Sequence, residues 1–228
     1  MKALAVALAL GYPLLAHAAS HFHSAPLALA AGAVLVLLVA LPGIARRRIG
    51  GWIVLAAGIA ALGALAALGN TQLPLFLPPV AINAFLAWLF GHTLRAGRMP
   101  LIERLVRLLH PPAEPLDARV PAYARRLTAV WAGLFATMAL LAAALAVLAV
   151  PGGLLDAAGI APPVPVALST WSLWSNLVGY LVAGLLFVAE YAWRRRVFPQ
   201  QPYRDFADFT RQVAAAGPRL WQALRAPA

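Results

Sequence analysis

The sequence predicts an all-α membrane protein: a polytopic bundle of six transmembrane helices with an interfacial amphipathic helix and a helical C-terminal tail. Three observations lead to this fold class. Of the 228 residues, 63% are hydrophobic and only 11% are charged, whereas soluble domains have about 25% charged residues. Apolar runs long enough to cross a bilayer recur along the chain, and the Lys and Arg residues are confined to short segments that flank these runs.

Six apolar runs approach the length of about 20 residues that a helix needs to cross the hydrocarbon core. These runs cover residues 3–19, 25–45, 49–68, 73–94, 127–150 and 168–190. In three of them, small residues recur at four-residue spacing: Ala56, Ala60 and Ala64; Ala129, Gly133 and Thr137; Ser175, Gly179 and Ala183. Such rows allow close backbone approach, so we expect them to lie between packed helices.

The first run has two interpretations. Lys2, a short apolar stretch and the sequence Ala16-His17-Ala18 are also typical of a secretory signal peptide with an A-x-A cleavage site. Cleavage would leave five helices and the same orientation of the C-terminus, so the charge pattern does not decide between the two. We expect the helix to be retained.

The distribution of positive charge predicts the topology. The 18 Lys and Arg residues lie at the N-terminus, at 46–48, within 95–126 and from 194 onwards, and none lies in the connections 20–24, 69–72 or 151–165. Basic loops remain on the cytoplasmic side of a membrane, so both termini are predicted to be cytoplasmic. Because orientation accounts for the net charge of +11, we expect no nucleic-acid partner.

Two segments outside the runs are amphipathic. Residues 100–110 place their Leu and Ile residues on one helical face and Glu103, Arg104 and Arg107 on the other, as expected of an interfacial helix on anionic headgroups. The tail repeats the pattern with Phe206, Phe209 and Val213, and a break is expected at Gly217-Pro218. The predicted organisation is a bundle over 1–193, which includes the cytoplasmic segment 95–126, and a cytoplasmic amphipathic tail over 194–228.

Four residues are candidates for an intramembrane polar site, because polar groups in a bilayer are costly. Asn83 follows Pro78-Pro79 and either bonds a freed backbone group, bridges to a neighbouring helix or lines a substrate cavity at a broken helix. Glu190 either pairs with Arg194 at i, i+4 or acts as a catalytic or proton-coupled carboxylate with His92, Arg95 or Arg126. Asn176 is expected to be a packing residue.

The chain has no recognised catalytic motif. It has no Cys, so disulfides, thiolate nucleophiles and Cys metal sites are excluded. His17, His21 and His23 have no neighbouring carboxylate, and Asp205 and Asp208 lie beside Phe206 and Phe209 on a predicted solvated face. We therefore predict no metal, no cofactor and no catalytic residues.

Several stretches together resemble a family of bacterial inner-membrane proteins encoded among the type II fatty-acid- or polyketide-like enzymes that make aryl polyene and xanthomonadin-type pigment lipids. The similar stretches are Tyr12-Pro13-Leu14-Leu15, Leu77-Pro78-Pro79-Val80-Ala81-Ile82-Asn83, Phe90-Gly91-His92-Thr93-Leu94-Arg95, Pro100-Leu101-Ile102, Tyr123, Arg126, Trp131, Trp171-Ser172, Asn176, Glu190-Tyr191 and Phe198-Pro199. The resemblance implies a bacterial inner-membrane location and a pathway context, but no catalytic role.

This context leads to three candidate functions. The first is an accessory protein that docks soluble acyl-carrier-dependent enzymes at the inner leaflet. The second is a transporter or flippase of a hydrophobic product, and the third is a membrane enzyme that modifies an acyl or polyene chain. For docking, the expected contacts to anionic lipid or an acidic acyl-carrier protein are basic residues: Arg95, Arg98, Arg104, Arg107, Arg126, Arg194, Arg195 and Arg196.

Overall fold

The computed structural model describes residues 2–110, 116–198 and 205–225, and these residues are helical almost throughout, which confirms the all-α class. The helices are α1 Lys2–His21, α2 Ala25–Ala45, α3 Ile49–Ala67, α4 Leu73–Gly91, α5 Leu101–Leu109, α6 Val120–Leu148, α7 Leu154–Ala157, α8 Leu168–Leu173, α9 Gly179–Val197 and α10 Phe206–Arg225. A 3₁₀ turn, His92–Leu94, follows α4, and a π-helical turn, Trp174–Val178, joins α8 to α9. Two short strands, β1 Ala149–Val150 and β2 Val166–Ala167, pair in parallel.

Four helices are long and apolar enough to cross a membrane: Ala25–Ala45, Ile49–Ala67, Leu73–Leu94 and Val120–Leu148. Their presence is what a membrane protein requires. The first and last predicted runs are also helical, but they are not among these four. The last run is interrupted at the π-helical turn, where the N–H of Gly179 bonds to the carbonyl of Trp174. The number of spanning helices therefore remains a prediction beyond these four.

The chain divides into two compact units: unit 1, residues 1–82 and 138–180, and unit 2, residues 83–137 and 181–228. In unit 1, α1 packs against α2 and α8, and α2 packs against α3. Its core combines small residues with a few large ones: Ala16, Ala19, Ala28, Ala31, Leu75, Phe76, Ala146, Ala149, Leu168 and Trp171. The Trp171 ring is fully buried and meets Phe76 edge to face, with ring centroids 4.5 Å apart.

Glycines set the close contact between α2 and α3. A Cβ atom at Gly51 would collide with the backbone of Gly43 and Ile44, and one at Gly58 would collide with Val36. The predicted packing rows at 56, 60, 64 and at 129, 133, 137 are wrong for unit interiors, since all six residues are exposed. Helix α3 instead contacts α2 at Gly51 and Gly58, because a missing side chain permits closer approach than a methyl group.

In unit 2, α5 packs against α10. The first turn of α5 is held by two hydroxyl acceptors, since Leu101 N–H donates to Thr93 Oγ1 (3.1 Å) and Ile102 N–H donates to Thr128 Oγ1 (3.3 Å). These bonds satisfy amide groups that a helix start leaves free. The helix ends as His110 turns extended, the backbone preferred before a proline. Pro111 and Pro112, which follow in the sequence and were predicted to end the helix at this point, lie outside the described residues.

Two helices continue through prolines that were expected to break them. Helix α4 runs unbroken through Pro78 and Pro79, and α10 runs unbroken through Pro218. A proline removes one hydrogen bond and crowds the carbonyl four residues earlier, but the flanking bonds can continue the helix. Pro78 and Pro79 are buried in unit 1, so their packing offsets part of that loss.

Candidate functional site

The carboxylate of Glu190 lies in a largely buried network in unit 2. Glu190 is 9% exposed, its Oε1 atom is 3.0 Å from Arg194 Nε, and the Tyr123 hydroxyl donates to the same oxygen at 3.2 Å. The predicted pairing with Arg194 is thus confirmed. Among the described residues, the partners of this carboxylate are Arg194 and Tyr123 rather than His92, Arg95 or Arg126. A buried carboxylate that is both ion-paired and hydrogen-bonded is suited to a structural role.

Arg194 also joins α9 to α10. Its side chain is 11% exposed, and its guanidinium carbon lies 4.3 Å from the ring centroid of Phe209 on α10. Phe209 itself is buried and stacks on Phe187 and Tyr191, with ring centroids 5.6 and 5.5 Å apart. The aromatic side chains whose spacing predicted an amphipathic tail therefore pack against another part of the chain, helix α9.

The polar face of α5 differs from the prediction at one residue. Arg107 is exposed, as predicted, but Glu103 is only 8% exposed. Arg107 donates from Nε and Nη2 to Glu103 Oε1, at 3.0 and 2.8 Å. Glu103 also lies beside Pro121 and Ala122 of α6 in one concavity. Glu103 is therefore buried, although the helical projection placed it on the polar face with Arg104 and Arg107.

Most of the other predicted basic contacts are exposed. Arg95 and Arg98 lie in the connection between the 3₁₀ turn and α5, Arg126 lies near the start of α6, and Arg195 and Arg196 lie at the end of α9. Arg104 is half-buried on α5. Unit 2 therefore presents several arginine side chains from three elements, which is the arrangement that an anionic partner or surface requires.

The remaining polar candidates lie apart from the Glu190 network. Asn83 is half-buried in the unbroken part of α4, so the premise of a cavity at a broken helix fails. His92 stacks on Trp88 with ring centroids 4.6 Å apart, and its Nδ1 is 3.0 Å from the Trp88 carbonyl oxygen. Asn176 belongs to the π-helical turn, but its side chain lies outside the described residues.

Unit 1 contains a second group of polar side chains that sequence reasoning missed, in which an exposed histidine, His17, meets buried residues. His17 Nδ1 is 2.9 Å from Ser172 Oγ, and Ser20 donates to the Ala16 carbonyl. In the described part of the chain, the buried Tyr12 hydroxyl and Trp171 indole nitrogen have no hydrogen-bond partner. The signal in the sequence was the presence of polar residues inside apolar runs. The sequence could not show that His17 and Ser172 pair, because they are 155 positions apart. No three His, Cys, Asp or Glu residues among those described form a metal site.

The start of α6 is fixed by an exposed carboxylate. Asp117 accepts hydrogen bonds from the Arg119 backbone N–H at 2.8 Å and from the Arg119 side chain. The side-chain bond, and then the backbone bond, lower the pKa of Asp117 to about 2. Any stabilisation from this turn is therefore present above the ordinary carboxyl pKa and is lost only as the pH falls towards 2.

The chain matches no protein-family model, no curated protein and no solved structure.

Proposed function

We propose that this protein is an accessory protein of the bacterial inner membrane that docks soluble acyl-carrier-dependent enzymes at the cytoplasmic surface. The proposal includes six spanning helices with both termini in the cytoplasm. The observation that supports it most directly is the set of exposed arginines in unit 2, the unit in which α5 packs against α10. The pathway context, aryl polyene-type lipid synthesis, rests on the sequence resemblance.

The membrane assignment is supported by the surface of the apolar helices. Large apolar side chains are exposed along α3 and α4, among them Trp52, Ile53, Ile59 and Phe85. Water-exposed patches of this size are costly, whereas lipid tails solvate them readily. The four apolar helices therefore fit a hydrocarbon environment.

The exposed arginines of unit 2 suit an acidic protein partner. Arg195 and Arg196 are exposed at the last turn of α9, and Arg211 is exposed on α10. Long-range attraction between such a surface and an acidic protein speeds encounter and fixes orientation. A carrier protein that delivers a hydrophobic chain would also gain from docking beside the bilayer that receives its product.

The two alternative functions have weaker support. A transporter built on a broken fourth helix loses its premise, because α4 is continuous through Pro78 and Pro79. A membrane enzyme that uses Glu190 and His92 would need these side chains near each other, but Glu190 is bound to Arg194 and Tyr123, and His92 stacks on Trp88.

The test measures binding of an acidic acyl-carrier protein to the full chain in nanodiscs of neutral lipid. The double variant Arg195→Glu/Arg196→Glu should weaken binding by at least about ten-fold, since each reversed charge changes the attraction by on the order of 1 kcal/mol or more. Arg46→Glu/Arg48→Glu, which reverses two exposed charges in unit 1, is the matched control and should change binding little.

Equal loss in both double variants would show general electrostatic attraction instead of a docking surface. Unchanged binding in Arg195→Glu/Arg196→Glu would refute docking there. A mass profile of lipid extracts from cells that lack the protein then separates the functions. Reduced synthesis fits docking, accumulation of the finished product inside fits transport, and a chemically distinct precursor fits an enzyme.

A further inference from the structure

A groove in unit 2 runs along the first turns of α6. Two adjoining concavities, of about 430 and about 440 Å³, share Ala122 and Arg125 as lining residues. The first lies between residues 97–100, Glu103 of α5 and Pro121 of α6. The second lies farther along α6 and is lined by Leu94, Arg126 and Ala129. Volumes of this size suit a small organic ligand or a lipid headgroup.

The charge in the groove is positive. Arg98, Arg125 and Arg126 line it, and all three are exposed. The only carboxylate among the lining residues is Glu103, which is paired with Arg107. Arg125 is positioned by one hydrogen bond from Nη2 to the Leu94 carbonyl oxygen, and a guanidinium has further N–H donors. A guanidinium group can donate two parallel hydrogen bonds to two oxygens of one phosphate, so the groove is chemically suited to a phosphate.

The second concavity adds an apolar path. Apart from Arg125 and Arg126, its lining residues are Leu94, Ala122 and Ala129. Ala129 lies three residues beyond Arg126 on α6, which is one of the four helices able to cross a membrane. A ligand that places phosphate at the arginines would therefore have hydrocarbon space beside it, along the same helix.

We infer that this groove is a binding site for an anionic phospholipid, with the headgroup phosphate at Arg98, Arg125 and Arg126 and an acyl chain alongside Leu94 and Ala129. Basic pockets at the cytoplasmic ends of spanning helices recognise such headgroups. The inference goes beyond the proposed docking of carrier proteins, because it assigns a lipid to Arg98 and Arg126, whereas the docking test reverses Arg195 and Arg196, which do not line the groove.

The experiment is native mass spectrometry of the full chain released from detergent, titrated with phosphatidylglycerol or phosphatidylcholine of identical acyl chains. The wild-type protein should bind phosphatidylglycerol about ten-fold more tightly. Arg98→Gln/Arg126→Gln should remove most of that preference, since two of the three headgroup contacts are lost. Arg125 is left unchanged because it bonds to the Leu94 carbonyl.

Arg46→Gln/Arg48→Gln is the matched control and should keep the preference within about two-fold of wild type, because those arginines lie outside the groove. Arg98→Lys/Arg126→Lys keeps the charge and should retain part of the preference. This result would show that the loss in the Gln variant comes from the missing charge and not from misfolding. Equal affinity of the wild type for the two lipids would overturn the proposal. If inorganic phosphate displaced bound phosphatidylglycerol as effectively as free phosphatidylglycerol does, the proposal would also be overturned, since the acyl chain would then contribute nothing to binding. No carrier protein is present, so this outcome is independent of the docking test.

Discussion

The guanidinium group of Arg194 lies over the ring of Phe209, with its central carbon 4.3 Å from the ring centroid, and this contact fastens α10 to α9. The same guanidinium pairs with Glu190, which accepts a hydrogen bond from Tyr123 of α6. Arg194 therefore links α10 to α9 directly and to α6 through Glu190 and Tyr123. Cation–π contacts of this type contribute about 2 kcal/mol when they are desolvated.

We predict that Arg194→Ala loosens α10. The change removes the cation from Phe209 and leaves the carboxylate of Glu190 buried without its ion-pair partner, a loss of about 3–5 kcal/mol in comparable pairs. Hydrogen–deuterium exchange should show faster exchange in Phe206–Arg225 than in wild type. The thermal midpoint of the purified protein should also fall.

Arg195→Ala provides the control for that change. Arg195 is exposed, and its guanidinium carbon is 5.9 Å from the Tyr191 ring centroid. Its removal should leave exchange in α10 close to that of wild type. If Arg194→Ala and Arg195→Ala behave alike, the buried network does not hold the tail.

The sequence predicted half of this network. The spacing of Glu190 and Arg194 is local, so one helical turn was enough to pair them. Tyr123 and Phe209 approach Glu190 and Arg194 only after α6 and α10 have packed, and nothing in the periodicity of the chain specifies that packing. The burial of Glu103 was missed for the same reason, because a helical projection of 100–110 does not include the neighbouring start of α6.

We predict that Gly51→Ala destabilises the contact between α2 and α3. An added Cβ would meet the backbone of Gly43 and Ile44, and backbone atoms cannot move aside as a flexible side chain can. Overpacking of this kind costs about 1–3 kcal/mol. The thermal midpoint in detergent should fall, whereas Gly50→Ala, where an added Cβ meets nothing within 4 Å, should leave it unchanged or raise it.

The α2–α3 contact also shows where composition misleads. Ala and Gly residues recur throughout 49–68, so several small-residue rows of equal spacing can be drawn on one helix. The row at 56, 60 and 64 is exposed, and α3 contacts α2 at Gly51 and Gly58 instead. The lengths of α2 and α3 were predictable from hydropathy, but the face of α3 that meets α2 was not.

We predict that the first helix is retained in the mature protein. Ala16 and Ala19 are buried in the core of unit 1, and His17 Nδ1 lies 2.9 Å from Ser172 Oγ on α8. Cleavage after Ala18 would remove His17 and most of the α1 surface that packs on α2. Intact mass spectrometry of the membrane-extracted protein should give a mass that includes residues 1–18. A chain that begins at Ala19 would show that the signal-peptide interpretation is correct.

We predict the membrane topology from the charge pattern, and the structure indicates where to test it. The chain has no cysteine, so single substitutions give an unambiguous label. Ala161 and Ala118 are both exposed, and no hydrogen bond from their side chains is lost on replacement. In intact spheroplasts, a membrane-impermeant maleimide should label Ala161→Cys, because residues 151–165 contain no Lys or Arg and are predicted to lie outside. Ala118→Cys, within the basic segment 95–126, should react only after the cells are opened.

Labelling of both variants in opened cells controls for the reactivity of the two cysteines. Labelling of Ala118→Cys in intact spheroplasts would reverse the predicted orientation. The arginine surface of unit 2 would then face away from any cytoplasmic partner.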